Sequence, residues 1–314
     1  MIVAMYNYSP KKVLVGGNPY HLELIKSCLS SDEDFTILTD KAEIKNADLY
    51  YWIYGPGPSI KNYFHLLIHQ KPKLIIHWIG TDVLNYQCYP QKFSLKIVRK
   101  IKEIIHELKG VVHLAGSPWL ADELAALGIR AEFFPLTTID LKTMSHENIG
   151  VNKTIDFLSY IPLGRFNFYG GDKLIKLAEY LPYSSFLVIM PDDIDISKNI
   201  NVPDHPENIT LIGKTDIQRM IDIYLHSKCF LRFTEHDGLS LSVLESMFYK
   251  LHVFWTYKFP HTIHVEKYEG LQEIMQEILS NWQPNEAGHN YVVKHYSTDV
   301  WKGKFREMLC ELFR

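Results

Sequence analysis

The sequence predicts an α/β protein built as two parallel-sheet domains. Three observations carry that prediction. Short apolar runs alternate with helical stretches along most of the chain, the pattern of βα units feeding a parallel sheet. A polar region over 137–153 interrupts the rhythm near the middle, and the rhythm restarts at Ile155. The length of 314 residues is comfortable for two domains of about 150 each.

Composition narrows the class. An apolar fraction of 46% with 22% charged residues is that of an ordinary globular protein. A net charge of −3 gives no nucleic-acid signature. Cys28, Cys88, Cys229 and Cys310 lie far apart with no Cys-x-x-Cys pair, which fits reduced thiols and not a disulfide frame or zinc site. No apolar run approaches the roughly 18 to 20 residues of a membrane span. The N-terminus MIVAMYNYSPKK has no basic start and too short an apolar run for a secretory signal, so a cytoplasmic protein is expected.

In the first half, Lys12–Val15 forms a strand that runs into Gly16-Gly17-Asn18-Pro19, and a helix follows from about Tyr20 to Ser30. Two glycines at such a turn either let a ligand approach the backbone or serve a tight turn with positive φ. The turn lacks G-x-G-x-x-G, which speaks against a nicotinamide dinucleotide site. Strands follow at Phe35–Leu38, Tyr50–Tyr54 and Leu74–Trp78. The last ends in His77-Trp78-Ile79-Gly80-Thr81-Asp82, a polar cluster placed where hydroxyl recognition would occur. Taken alone, His77 is more often a satisfied core histidine.

Gln91–Lys109 is the clearest amphipathic helix, with Phe93, Ile97, Ile101, Ile104, Ile105 and Leu108 as its stripe. Six cations against two glutamates leave it at +4, so it either covers a sheet with a solvated outer face or lies on anionic lipid. The strand Val111–Leu114, the helix Pro118–Leu127 and the strand Ala131–Pro135 complete this half.

The second half opens with the strand Ile155–Tyr160. Gly164-Arg165-Phe166 follows, and Gly170-Gly171-Asp172 precedes a helix Lys173–Leu181, with Asp172 as its expected N-cap. The strand Thr210–Ile212 leads to Gly213-Lys214, and the helix Ile217–His226 comes next. The apolar run Cys229–Leu231 carries Arg232 and ends at Thr234; a turn occupies Glu235–Gly238. A helix begins near Ser240 and runs to Tyr249, and the strand His252–Trp255 closes a strand–helix–strand unit. Tyr268–Trp282 and Tyr296–Phe313 are also helical. His261-x-x-His264 has no third ligand at suitable spacing, so no metal site is predicted.

The Ser240–Tyr249 helix carries one anomaly. At 100° per residue, Leu241, Val243, Leu244, Met247 and Phe248 share the apolar side, while Ser242 and Ser246 face away. Glu245 falls on the shoulder of that side. A carboxylate there is costly unless it has a partner or opens onto a cleft. It is either a boundary glutamate reaching solvent or a lysine, or part of a site.

The stretch Asp237-Gly238-Leu239-Ser240-Leu241-Ser242-Val243-Leu244-Glu245-Ser246-Met247 resembles the donor-binding motif of the group-1 family of retaining glycosyltransferases with the GT-B fold. That family carries two glutamates separated by seven residues in a pattern like E-G-x-P-L-S-V-L-E-A-M. Here Asp237 replaces the first glutamate and Ser240 the proline. The resemblance implies two Rossmann-like domains facing a central cleft: 1–140 on the acceptor side, a linker at 141–153, a nucleotide-sugar domain at 154–295, and a helix at 296–314 crossing back to the first domain.

The resemblance also implies roles. Glu245 would bind the donor ribose, and the backbone from Gly238 and Leu239 through Ser240 to Leu241 and Ser242 the diphosphate. Asp237 would meet the donor sugar, and Gly16 and Gly17 would face the donor phosphates. His77 would act on the acceptor side. The family's G-R-L…K-G-x-x-x-L element clasps the diphosphate with an arginine and a lysine; Arg165 matches the first, and Gly170 stands at the second. Lys214 and Arg232 are the candidates to replace the missing cation, and Asp237, His77 and Arg165 are the expected catalytic residues.

The implied activity is transfer of a sugar from a UDP- or GDP-linked donor to a hydroxyl acceptor, with retention of configuration. The acceptor would be a glycan or lipid-linked glycan. The donor is a co-substrate, and no cofactor or metal is expected; Asp192-Asp193 and Asp195 precede no clear helix start. No nucleic acid is expected as a partner, and peripheral contact through 91–109 would bring the protein to the inner face of a membrane. Two rivals remain: a non-catalytic two-domain protein that binds sugar or nucleotide, and a Rossmann dehydrogenase.

Overall fold

The structure is a computed structural model that describes residues 10–30, 32–38, 40, 45–59, 62, 73–88, 93–144, 152–191 and 203–314. Gln91, Lys92, the 145–151 part of the expected linker, and Asp192, Asp193 and Asp195 lie outside the described residues. The chain divides into two compact units, Met1–Leu136 and Thr137–Arg314.

The first unit runs β1 (Lys11–Gly17), α1 (Pro19–Leu29), β2 (Phe35–Leu38), β3 (Leu49–Ile53), β4 (Lys73–Trp78), α2 (Thr81–Gln87), α3 (Phe93–Lys109), β5 (Val112–Ala115), α4 (Pro118–Ala126) and β6 (Glu132–Phe133). Its six strands order as β2-β1-β3-β4-β5-β6, every pairing parallel. Strands covered on both faces have continuous apolar runs; Leu74, Ile75, Ile76 and Trp78 of β4 are all buried. Helix α4 starts where the sequence places it, because Ser117 accepts the amide of Leu120 and Pro118 needs no hydrogen bond in the first turn.

The second unit runs α5 (Leu141–Met144), β7 (Ile155–Tyr160), a 3₁₀ turn at Leu163–Arg165, α6 (Gly171–Tyr180), β8 (Phe186–Ile189), β9 (Ile209–Ile212), α7 (Ile217–His226), β10 (Ser227–Arg232), α8 (Leu241–Phe248), β11 (His252–Trp255), β12 (Ile263–His264), α9 (Leu271–Ser280), α10 (Glu286–Tyr296) and α11 (Thr298–Phe313). Its strands order as β12-β11-β10-β7-β8-β9, again all parallel.

Both sheets reverse direction once. In the first, the chain moves outward from β1 to β2 and returns to place β3 on the other side of β1. In the second it moves from β7 through β8 to β9, then places β10 on the other side of β7. At such a reversal the loops leaving the two central strands diverge and open a crevice at their carboxyl ends. The loops in question carry Gly17 and Tyr54 in the first unit, and Arg165 and Asp237 in the second.

Several expectations need correction. Helix α6 begins at Gly171 with Gly170 as its N-cap in the left-handed region (φ 77°), so Asp172 lies inside the first turn and is not the cap. Ser246 does not face away from the core: it is fully buried, and its hydroxyl donates to the Ser242 carbonyl at 2.7 Å. The apolar stripe of α3 is only partly used. Ile105 is buried, but Ile97 and Ile104 are 45% and 47% exposed. Helix α2, strand β8 and helix α10 were not foreseen, and α11 starts after a break at Ser297.

Residues 137–144 are held to the second unit. Ile139 pairs with Ser297, Thr137 Oγ1 donates to the Leu239 carbonyl at 2.8 Å, and Tyr249 donates its hydroxyl to the Met144 carbonyl at 2.7 Å. No described helix is long and apolar enough to cross a membrane.

Candidate active site

The second sheet's reversal brings two predicted segments together. The loop after β7 carries Arg165, and the loop after β10 carries Asp237, Gly238 and Leu239. They are joined directly: the Glu235 amide donates to the Phe168 carbonyl at 2.9 Å, and the Arg232 guanidinium lies over the Tyr169 ring, 4.8 Å from its centroid. A third contact locks them. A Cβ on Gly170 would stand 2.4 Å from Phe233 Cβ and 2.5 Å from its carbonyl oxygen, at a φ of +77°. No lysine fits there, which explains why the expected second cation is missing from that position.

Arg232 ends β10 at the fork. Its Nε donates to Asp237 Oδ2 at 2.8 Å, with side chains only 9% and 14% exposed. Burial by itself would lower the arginine's pKa; the charge and hydrogen bond of Asp237 reverse this and raise it above its ordinary value. The turn behind the pair is fixed by its own bonds. The Asp237 amide donates to the Tyr257 hydroxyl at 3.2 Å, Thr234 Oγ1 donates to the His236 carbonyl at 2.9 Å, and Thr256 Oγ1 donates to the Thr234 carbonyl at 2.8 Å. Arg165 is exposed, with its guanidinium 5.8 Å from the Phe168 ring centroid. Lys214, also exposed, follows β9 at the far edge of the sheet. Of the two candidate replacements for the missing cation, Arg232 is the one at the fork.

Helix α8 starts at the same place. Gly238, Leu239 and Ser240 are buried, and Ser240 is the N-cap in extended conformation. Its hydroxyl hydrogen-bonds the Ser242 hydroxyl at 2.9 Å and not a first-turn amide. The leading amides of a helix have no intrahelical acceptor, so the positive end of α8, at Leu241 and Ser242, suits an anion.

Glu245 lies one turn further on, partly buried, and accepts the Tyr224 hydroxyl on Oε2 at 2.8 Å. Burial raises its pKa to about 7, with the Tyr224 hydrogen bond opposing the rise. Neither solvent nor a lysine is its first partner, as the sequence reading had left open; a buried tyrosine is. Sequence reasoning missed Tyr224, Tyr169 and Tyr257. The only available signal was that a tyrosine in an apolar stretch needs a partner for its hydroxyl.

The first-unit candidates are placed differently. Gly17 has φ +106°, and a Cβ on it would stand 1.8 Å from the Ile53 carbonyl oxygen; on Gly16 it would meet Trp52 at 2.9 Å. Glycine is required at 17 by this close approach of β1 to the end of β3. His77 is fully buried with both ring nitrogens engaged: Tyr51 donates its hydroxyl to Nδ1 at 2.6 Å and Nε2 donates to the Phe134 carbonyl at 2.8 Å. Burial, partly offset by the Phe134 bond, lowers its pKa to about 3, so the ring is neutral. Asp82 is equally committed. Its carboxylate accepts the amides of Gly55 (2.7 Å), Ile79 (3.0 Å), Gly80 (2.8 Å) and Val83 (3.1 Å), tying the ends of β3 and β4 to the start of α2. Among the described residues, no group of three or more His, Cys, Asp or Glu side chains gathers as a metal site.

The sequence matches no protein-family model and no curated protein. Its structure is similar to solved ones. Against sucrose-phosphate synthase from Thermosynechococcus elongatus the TM-score is 0.66 at 11% identity, covering 97% of this chain and 99% of that one. Against TarM it is 0.59 at 13% identity, covering 84% of this chain and 54% of TarM. Against UDP-GlcNAc 2-epimerase from Neisseria meningitidis, bound to UDP-GlcNAc, it is 0.54 at 12% identity, covering 96% of this chain and all of that one at 100%. The two parallel six-stranded sheets with flanking helices are the GT-B fold.

Proposed function

We propose that this chain is a glycosyltransferase that moves a sugar from a nucleoside-diphosphate sugar to a hydroxyl acceptor, a glycan or lipid-linked glycan, with retention of configuration. The observation that carries the reading is the fork of the second sheet. There an anion-attracting helix end, a buried arginine and a carboxylate on the next helical turn share one strand–loop–helix segment. The epimerase has the same fold, so the fold alone does not separate transfer to an acceptor from chemistry within a sugar nucleotide. The Asp237–Glu245 stretch is what favours transfer.

In this reading the donor diphosphate sits on the first amides of α8, with Gly238 and Leu239 shaping the approach. Arg165, exposed and able to swing, and Arg232, fixed by Asp237, offset the charge that grows on the departing phosphate. Lys214 is left to the rim. Glu245 accepts the ribose hydroxyls. Asp237 orients Arg232 and meets a hydroxyl of the donor sugar. The acceptor oxygen bonds to the anomeric carbon on the face that the phosphate leaves, and its proton passes to the departing phosphate oxygen.

The protein's own cations take the charge-balancing part, so no divalent metal is required. His77 contributes by holding Tyr51 and the Phe134 carbonyl in place on the acceptor side. Gly16 and Gly17 let β1 run close against Trp52 and the Ile53 carbonyl at the first sheet's reversal. Contact of α3 with the inner face of a membrane would bring a lipid-linked acceptor within reach.

A thermal-shift screen tests the reading against its rivals. UDP, GDP and their sugar conjugates should raise the melting temperature, while free sugars and NAD should not. A response to free sugars alone would favour a binding protein, and a response to NAD alone would favour a dehydrogenase; either would overturn the proposal.

A further inference from the structure

We propose that Tyr224 is a positioning residue for nucleotide recognition: its phenol holds Oε2 of Glu245, which leaves Oε1 to accept the vicinal hydroxyls of a ribose. The inference rests on the proposed nucleotide-sugar site, and adds to it a residue from a helix outside the donor-binding segment.

The geometry is specific. Tyr224 belongs to α7 and is 1% exposed, yet its hydroxyl reaches across to α8 and donates to Glu245 at 2.8 Å. Its ring cannot swing away, because it stacks on Tyr249 with centroids 5.4 Å apart and planes 11° from parallel. Tyr249 is itself pinned through its hydroxyl to the Met144 carbonyl. Among the described residues, no other side chain hydrogen-bonds the Glu245 carboxylate. A carboxylate has two oxygens and about four acceptor sites. Fixing one oxygen on a clamped donor orients the plane of the other, and Oε1 of this partly buried side chain can then take two adjacent hydroxyls at once.

The phenol also bears on charge. A protonated carboxyl would donate where a diol needs an acceptor, so Glu245 must be ionised to do this work. Burial lifts its pKa to about 7, and the Tyr224 bond is the influence that opposes the lift. The other titratable groups facing this pair are the phenols of Tyr249, the C-cap of α8, and Tyr160 at the end of β7, and neither is a cation. Removing the Tyr224 hydroxyl should therefore both loosen Glu245 and favour its neutral form at physiological pH.

Calorimetry with UDP and with 2′,3′-dideoxy-UDP separates this role from simple packing, with the guanosine pair run in parallel. The wild type should prefer the ribose form by roughly tenfold or more, the scale of hydrogen bonds to a charged acceptor. Tyr224→Phe should reduce that preference about fivefold while moving dideoxy affinity by less than about twofold. It should also shift the pH midpoint of ribose-form binding upward. In a Glu245→Gln background the same change should have no further effect, because coupled residues are not additive. If Tyr224→Phe keeps the wild-type preference and midpoint, the tyrosine only packs and the inference is wrong. If the wild type itself binds both forms equally, the ribose role of Glu245 fails, which is a separate result and overturns the nucleotide reading beneath it.

Discussion

Asp237 stands where the resembled motif has a glutamate, and it is one methylene shorter, a difference of about 1.5 Å in reach. The shorter arm keeps the carboxylate beside the end of β10, where Arg232 takes it at 2.8 Å. Removing it would leave a buried guanidinium without its counter-charge, a change that costs about 3–5 kcal/mol, so Asp237→Ala reports mostly on stability. Asp237→Asn keeps the shape and is the better kinetic probe. It should lower transfer about 10²-fold, the scale of one preorganised polar contact in a transition state. Nucleoside diphosphate affinity should stay within about threefold. Rate and affinity measured on the same variant decide the matter; if affinity falls in step with rate, the residue only holds the loop. Asp237 and Arg232 were each legible as candidates. Their pairing was not, since five residues of separation across a turn say nothing about which side chains meet. Gly170 was legible as a departure from the resembled pattern, but its reason, the backbone of Phe233 against its Cα, exists only in three dimensions.

At the scale of elements, the stretches with a clear apolar pattern between sharp turn or cap residues were the legible ones. Strands β2 and β11 and helix α7 fall on their expected bounds, because each combines a clear apolar pattern with sharp turn or cap residues. Asp216, for instance, caps α7 by accepting the Arg219 amide at 2.8 Å. The unforeseen elements are short or weakly patterned. Helix α10 packs only Gly288, Val292 and Tyr296 in its buried face, so no stripe announces it. Helix α3 is the informative exception. Its periodicity was plain, yet Ile97 and Ile104, seven residues apart, remain about half exposed on a strongly basic helix. A solvated face does not need them, whereas insertion of apolar side chains between anionic headgroups does. The chain should sediment with anionic vesicles at low salt and not with neutral ones. Ile97→Asp combined with Ile104→Asp should abolish the binding without unfolding a surface helix. Equal sedimentation with both vesicle types, or no effect of salt, would leave α3 as a solvated cover for the sheet.

At the scale of the whole molecule, two parallel sheets each reverse once, and each reversal carries residues that the sequence singled out. That coincidence is why the fold was readable from the order of strands and helices. The chemistry is less so, because one fold hosts both transferases and an epimerase. The central claim is transfer of a sugar to an acceptor, without a divalent metal. It is tested most directly by incubating the chain with UDP- and GDP-sugars and mixed glycan acceptors in the presence of EDTA, then analysing nucleotide and sugar products together. The account predicts nucleoside diphosphate and glycosylated acceptor in equal amounts, the new bond keeping the donor's anomeric configuration. Turnover that vanishes with EDTA and returns with magnesium or manganese would contradict the role given to Arg165 and Arg232. An isomerised sugar nucleotide with no acceptor product would contradict the account as a whole.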